Sequence, residues 1–198
     1  LKVLHDMENT KIFASGSASI FLLEKGSYLT GRQHFIEVSP FNFKEYMELL
    51  DIKIDEGDEN LIINYANRYA MNGGLPEYIK LDESDYITEL VDSIIYKDIV
   101  SRHSIENAKV LKDLVLLLSQ NVGNRLSVRK ISRMLGVSHQ SISEYISYFI
   151  ETKLIELVEK NGKASERKAS PKKVYFVDNG IINVLSPSIN RGALIENM

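Results

Sequence analysis

The residues of this chain that could do chemistry fall into four groups. The run DIKIDEGDEN, residues 51–60, offers Asp51, Asp55, Glu56, Asp58 and Glu59 as hard oxygen ligands. Their order does not match an EF-hand loop, which needs alternating ligands, a central glycine and a terminal bidentate glutamate. A solvated acidic loop is the expected reading. Asp178 and Glu196 are the carboxylates nearest the C-terminal end, and two acids alone do not build a metal centre. Asp178 is expected to support the turn at Asn179-Gly180. The histidines are His5, His34, His103 and His139, with no two at helical ligand spacing, so no zinc site is expected. Finally, Ser15-Gly16-Ser17 follows the apolar run Ile12-Phe13-Ala14. In a nucleotide-binding sheet a strand ends in this way beside a phosphate, and an ordinary serine-capped turn reads the same.

Composition bounds what can hold these groups. The 198 residues are 44% hydrophobic and 26% charged, enough for a globular core. The absence of cysteine excludes disulfides and thiolate metal sites, and fits a reducing cytoplasm. No long apolar run suggests a membrane span, and the first residues are too mixed for a secretory signal. The formal charge of −3 hides an asymmetry. Residues 1–100 hold 9 Lys and Arg against 18 Asp and Glu, whereas residues 121–175 hold 11 against 5. The basic half is the nucleic-acid candidate.

Periodicity places short strands at residues 11–14 and 34–38, with a helix between them at 19–29. After Pro40, residues 41–50 form a helix with Phe43, Met47 and Leu50 on one face. Residues 61–71 form a helix stopped by Gly73, and Pro76 marks a turn before the next element. Helices are expected over 82–97, continuing toward Ser101, and over 106–121. The most specific pattern is LSVRKISRMLGVSHQSISEYISYFIETKLIELVEK, residues 126–160. Ser127 caps one helix through Leu135, Gly136 permits a tight turn, and Ser138 caps a second helix to about Thr152. The strands LIELVEK and KVYFV then flank a basic loop, completing the order of a winged helix. On that reading His139, Gln140 and Ser143 face base edges, and Lys163, Arg167, Lys168, Lys172 and Lys173 meet phosphates. A winged helix that serves only protein contacts is the alternative, because Glu144 and Glu151 lie on the second helix and no Lys or Arg does.

The order KIFASGSAS, then GSYLTGRQHFIEVSPFNFKEYMEL, then NGGLPEYI resembles the archaeal-type P-loop ATPases of the AAA+ kind. The matching positions are Gly16-Ser17, Gly31-Arg32, Pro40, Phe43-Lys44-Glu45-Tyr46 and Gly73-Gly74-Leu75-Pro76-Glu77. KVYFVDNGIINVL with RGALIEN is similar to the entry of that family's C-terminal nuclease-like domain, with Glu196 at an N-terminal helix acid. The resemblance implies an α/β remnant of a P-loop core, then a mostly α winged-helix domain, predominantly α overall. It divides the chain into residues 1–50 (core), 51–105 (helical lid), 106–178 (winged helix) and 179–198 (start of the nuclease-like region). It implies that Ser15 and Ser17 sit at a sensor position, and that Arg32 serves as an arginine finger, closing the helix before the outer strand. The phosphate loop and magnesium-binding acid of the family are absent from these 198 residues. ATP and magnesium are therefore expected in a longer parent, and no cofactor or ATP hydrolysis in this chain alone. DNA and self-association through an open sheet edge are the expected partnerships.

Overall fold

The computed structural model describes residues 36–53, 57–163 and 170–198, together with Lys11, Phe13, Ser15, Gly16, His34 and Asp55. Small polar residues and glycines set the element ends. Helix α1 (Phe43–Leu49) starts at Asn42, whose side chain accepts from the Glu45 amide at 3.0 Å while Glu45 accepts from the Asn42 amide at 2.9 Å. This reciprocal capping box satisfies two otherwise orphaned donors. Tyr46 and Met47 are the buried residues of α1; Phe43 is half-buried and Leu50 lies past the helix end, exposed. Helix α2 (Glu59–Asn72) stops at Gly73, and α3 (Pro76–Leu81) opens with proline in its first turn. Between α1 and α2, Asp51, Asp55 and Asp58 of the acidic run are exposed, as its composition implies.

Helix α4 (Ser84–Ser93) runs directly into a π-helical segment, Ile94–Val100, and a last turn, Ser101–His103. The register of apolar residues accounts for the change. Ile87, Val91, Ile95 and Ile99 are all buried and fall at strict four-residue steps. On an α-helix such steps drift by about 40° each. The wider π-helical turn brings the later pair back onto the core face.

Helices α5 (Ala108–Ser119), α6 (Val128–Leu135) and α7 (His139–Glu151) follow, then strands β1 (Ile155–Val158) and β2 (Lys173–Phe176). The strands pair antiparallel, with Ile155 opposite Phe176 and Leu157 opposite Val174. The other edge of β2 meets the segment before α6, through an isolated bridge between Arg125 and Lys173 and a bond from the Leu126 amide to the Lys172 carbonyl. Helices α8 (Asn179–Leu185) and α9 (Arg191–Asn197) end the chain. The described residues are thus predominantly helical, and their strands form a single two-stranded sheet. No helix among them is long and apolar enough to cross a membrane.

One apolar core runs from Tyr78 to Leu194 and draws on α4, α5, α7, both strands and α8. Residues 51–105, 106–178 and 179–198 therefore share their buried surface. Two sequence expectations are corrected. His34 and residues 36–38 lie outside any strand, with Ile36 and Val38 exposed, because no neighbouring strand among the described residues completes a ladder. Glu37 pairs instead with Lys153 at 3.1 Å. Lys11 and Phe13 are likewise irregular, and Phe13 is 91% exposed rather than buried. Ile12, Ala14 and the helix expected at 19–29 lie outside the described residues.

The end of α2 and the segment from Asp178 to Asn197 meet at a polar joint. Asp178 accepts from the Gly74 amide at 2.6 Å and from the Gly180 amide at 2.8 Å. Asn179 donates to the carbonyls of Ala70 and Leu194, and Asn197 donates to Asn179 and to the Phe176 carbonyl. Gly73 turns the chain here with φ 71°, and a Cβ on it would lie 2.0 Å from the Asp178 carboxylate. A Cβ on Gly74 would lie 1.9 Å from the Phe41 carbonyl oxygen, a backbone atom that cannot swing aside. Gly74→Ala is therefore expected to cost at least about 3 kcal/mol, at the severe end for single substitutions. Urea unfolding of the variant checks this, and a loss under about 1 kcal/mol would show that the backbone at Phe41 yields easily.

Candidate functional site

The most complete local arrangement of exposed polar side chains is built on α6 and α7. The Ser127 side chain accepts from the Lys130 amide, and Gly136 ends α6 in the left-handed region with φ 65°. Two residues later Ser138 Oγ accepts from the Ser141 amide at 3.0 Å and starts α7. The Ser132 hydroxyl donates to the Val137 carbonyl at 2.6 Å and clamps the turn from inside. Ile131, Ile142, Ile146 and Phe149 are buried beneath it. These contacts hold the first turn of α7 outward, so His139, Gln140 and Ser143 are all exposed.

Two of the three are already engaged locally. The Gln140 amide donates to Glu144 at 3.2 Å, and the Ser143 hydroxyl donates to the His139 carbonyl at 3.0 Å. Glu144 thereby orients Gln140 and presents a carboxylate of its own on the same exposed surface. At the far end of α7, Tyr148 stacks on His103 with 3.7 Å between ring centroids. That contact ties α7 to the last turn after α4.

The hairpin lysines are compensated. Lys172 pairs with Glu159 at 2.9 Å, and Lys173 pairs with Glu196 at 2.6 Å. Tyr175 also donates to Glu196, at 2.9 Å. The Lys173 hydrogen bond, followed by that of Tyr175, holds the Glu196 carboxyl below its usual range, and the same contact raises Lys173. Glu196 is thus spoken for by the hairpin. Lys163 is exposed at the end of the described loop, and Arg167 and Lys168 lie outside the described residues.

Sequence reasoning passed over the cations on α6 and just before it. Arg125, Arg129, Lys130 and Arg133 are exposed, and none forms an ion pair with a carboxylate among the described residues. The signal was present in the run RLSVRKISR, since a helix that buries Ile131 must turn residues 129, 130 and 133 away from the core. Of the remaining expected positions, Ser15 is exposed and irregular, while Ser17 and Arg32 lie outside the described residues. No group of three or more acids or histidines among the described residues could hold a metal.

Comparison with known proteins adds a family. Residues 63–191 match the family described as Domain of unknown function (DUF8612). The chain belongs to it. The DUF8612 match runs from within α2 through α8, and so includes the α6–α7 turn, the hairpin and Asp178; Ser15, Ser17 and Arg32 fall outside it. An uncharacterized protein of Methanocaldococcus jannaschii is 32% identical over 202 aligned residues, covering 94% of this chain and 45% of the relative. An uncharacterized protein of Haemophilus influenzae is 28% identical over 188 residues, covering 87% of this chain and 45% of the relative. The chain spans less than half the length of these relatives. No solved structure matches it.

Asp178, inside the DUF8612 match, is the one carboxylate among the described residues that is strongly displaced in its titration. Burial raises it to about 6 from 3.8, against the opposing pull of the backbone amides of Gly74, Gly180 and Ile181. The sign follows from the direction of the shift. Between about pH 4 and pH 6 the unfolded chain has lost this proton while the folded chain retains it, so stability falls as pH rises through that window. The full effect is on the order of 3 kcal/mol. Asp178→Asn has no such proton. Its stability deficit relative to the natural chain is therefore expected to be larger at pH 4 than at pH 7. A deficit that stays level between those values in urea titrations would contradict a raised Asp178.

Proposed function

We propose that residues 108–176 form a winged helix that contacts duplex DNA with α7. The observation carrying this reading is the run of α5, α6, a glycine turn and a serine-capped α7 followed at once by an antiparallel hairpin, with the first turn of α7 held outward. A major groove admits one α-helix, and side chains near its N-terminus reach base edges. His139, Gln140 and Ser143 have suitable chemistry: an amide suits adenine, and a hydroxyl or imidazole suits either donor or acceptor edges. Glu144 is an acceptor for the cytosine amino group, and it repels phosphates when misplaced.

In the larger reading, this chain is the C-terminal portion of a cytoplasmic AAA+-type ATPase. ATP and magnesium would bind in the parent's other part, and nucleotide state would move the winged helix. The length of the relatives supports this, because more than half of each lies outside the match and leaves room for a nucleotide-binding core. Ser15, Ser17 and Arg32 would complete that core as sensor groups and an arginine finger. Self-association would engage the exposed Phe13, Ile36 and Val38. A second reading, a module for protein contacts, is favoured by the internally compensated Lys172 and Lys173.

Fluorescence anisotropy on a labelled duplex separates the readings. The 198-residue chain is expected to bind duplex DNA with affinity that falls as salt rises from about 50 to 200 mM. Glu144→Gln is expected to tighten binding to random duplex several-fold, up to about tenfold, by removing one repelling charge. Gln140→Ala is expected to change base preference without changing the salt slope. No binding at about 50 mM salt would sink the DNA reading in favour of protein contacts. Separately, ATP turnover by this chain alone is expected at background, and turnover that survives Ser17→Ala and Arg32→Ala would overturn their placement.

A further inference from the structure

The α6 cations are placed where the protein's own stability gives little reason for them. Arg129 and Lys130 occupy the second and third positions of α6, in the first turn, where the helix dipole presents its positive end. No acid accompanies them in that turn, and α6 as a whole contains none. Arg129 and Arg133 are four residues apart, a spacing at which like charges on a helix repel. Arg133 alone sits well, in the last turn. The helix is held by other means: the Ser127 cap, the Gly136 stop, and Ile131 with Val128 and Leu135 packed against the core. Arg125, two residues before the cap, adds a fourth exposed cation on the strand-like segment beside β2. The hairpin shows the opposite pattern, with Lys172 and Lys173 each closed by a carboxylate at 2.9 Å or less.

We infer that α6, with Arg125, is the surface that grips the phosphate backbone of duplex DNA, and that Lys172 and Lys173 serve the fold instead. The inference rests on the winged-helix reading and assigns its phosphate contacts to a different element. It agrees with the general docking of such pairs of helices, in which the second lies in the groove and the first crosses the backbone. Cations without an ion pair among the described residues can release counterions from DNA without breaking one of those pairs. Breaking the Lys172–Glu159 or Lys173–Glu196 pair to reach a phosphate would leave a carboxylate facing that phosphate.

The test is the salt dependence of duplex binding by the whole chain. Replacing Arg129, Lys130 and Arg133 together by glutamine is expected to weaken binding about a hundredfold near 0.1 M salt and to lower the slope of log affinity against log salt by about 2 to 3. Lys172→Gln with Lys173→Gln is expected to lower the slope by less than about 1. Should the triple variant unfold, Arg133→Gln alone, at the helix end where no cap is disturbed, is expected to lower the slope by about 1. An unchanged slope in the α6 variants alongside a large fall in the hairpin variant overturns this assignment and leaves the DNA reading standing. Absence of duplex binding by the natural chain removes both, and a preference for single strands or for double-stranded RNA at equal salt also overturns the assignment to duplex DNA.

Discussion

The Asp178 carboxylate is the constraint on which the arrangement of the rest depends. It takes up the Gly74 amide from the segment after α2 and the Gly180 amide from the first turn of α8, so two remote stretches of backbone share one anion. Around it no side-chain volume is left, since a Cβ on Gly73 would overlap the carboxylate and one on Gly180 would lie 2.5 Å from the Asn72 carbonyl. The charge is costly to bury, which is why its proton is held more tightly than in a free chain. Backbone donors at fixed positions are what make the site tolerable at all. Asn179 and Asn197 extend the same device by satisfying carbonyls of α2, β2 and α9, and no buried side-chain polar atom among the described residues is left without a partner.

Much of the fold was legible because its determinants are local. Ser127, Gly136 and Ser138 announce a helix, a turn and a helix, and the structure places caps and stop at those three residues. The strands fall within LIELVEK and KVYFV, as alternation requires. The Asn72-Gly73-Gly74 stop also holds. What failed to be legible depends on distant partners. HFIEV has the alternation of a strand, but a strand exists only when another completes its ladder. The π-helical turn at Ile94–Val100 could have been suspected from strict four-residue spacing, yet only packing against α5 decides which face must be kept. Asp178 was expected to support the turn at Asn179-Gly180 and does so, while its bond to Gly74 has no sequence signature.

The candidate site was legible in part for the same reason. The exposure of His139, Gln140 and Ser143 follows from helix period once the buried face of α7 is known. The state of a charge does not follow from composition. A loop rich in lysine looks basic in sequence, yet Glu159 and Glu196 pair with Lys172 and Lys173 at the base of the hairpin. The exposed cations of α6, counted in the sequence only as part of a regional excess, have no carboxylate partner among the described residues. Net charge over a segment does not say which of its cations are already paired within the fold.

The separation between the partners of the joint has a consequence for how the chain is made. Gly74 and Asp178 lie 104 positions apart, whereas the α6–α7 turn and the hairpin close over short loops. During synthesis the first helices emerge well before the acid that fixes them, so α1 to α3 must wait, incompletely anchored, while the segment from α5 to β2 can condense on its own local contacts. The segment that emerges later thus completes the one that emerged earlier. Truncation just before Asp178 would remove α8 and α9 and leave α1 to α3 without this anchor.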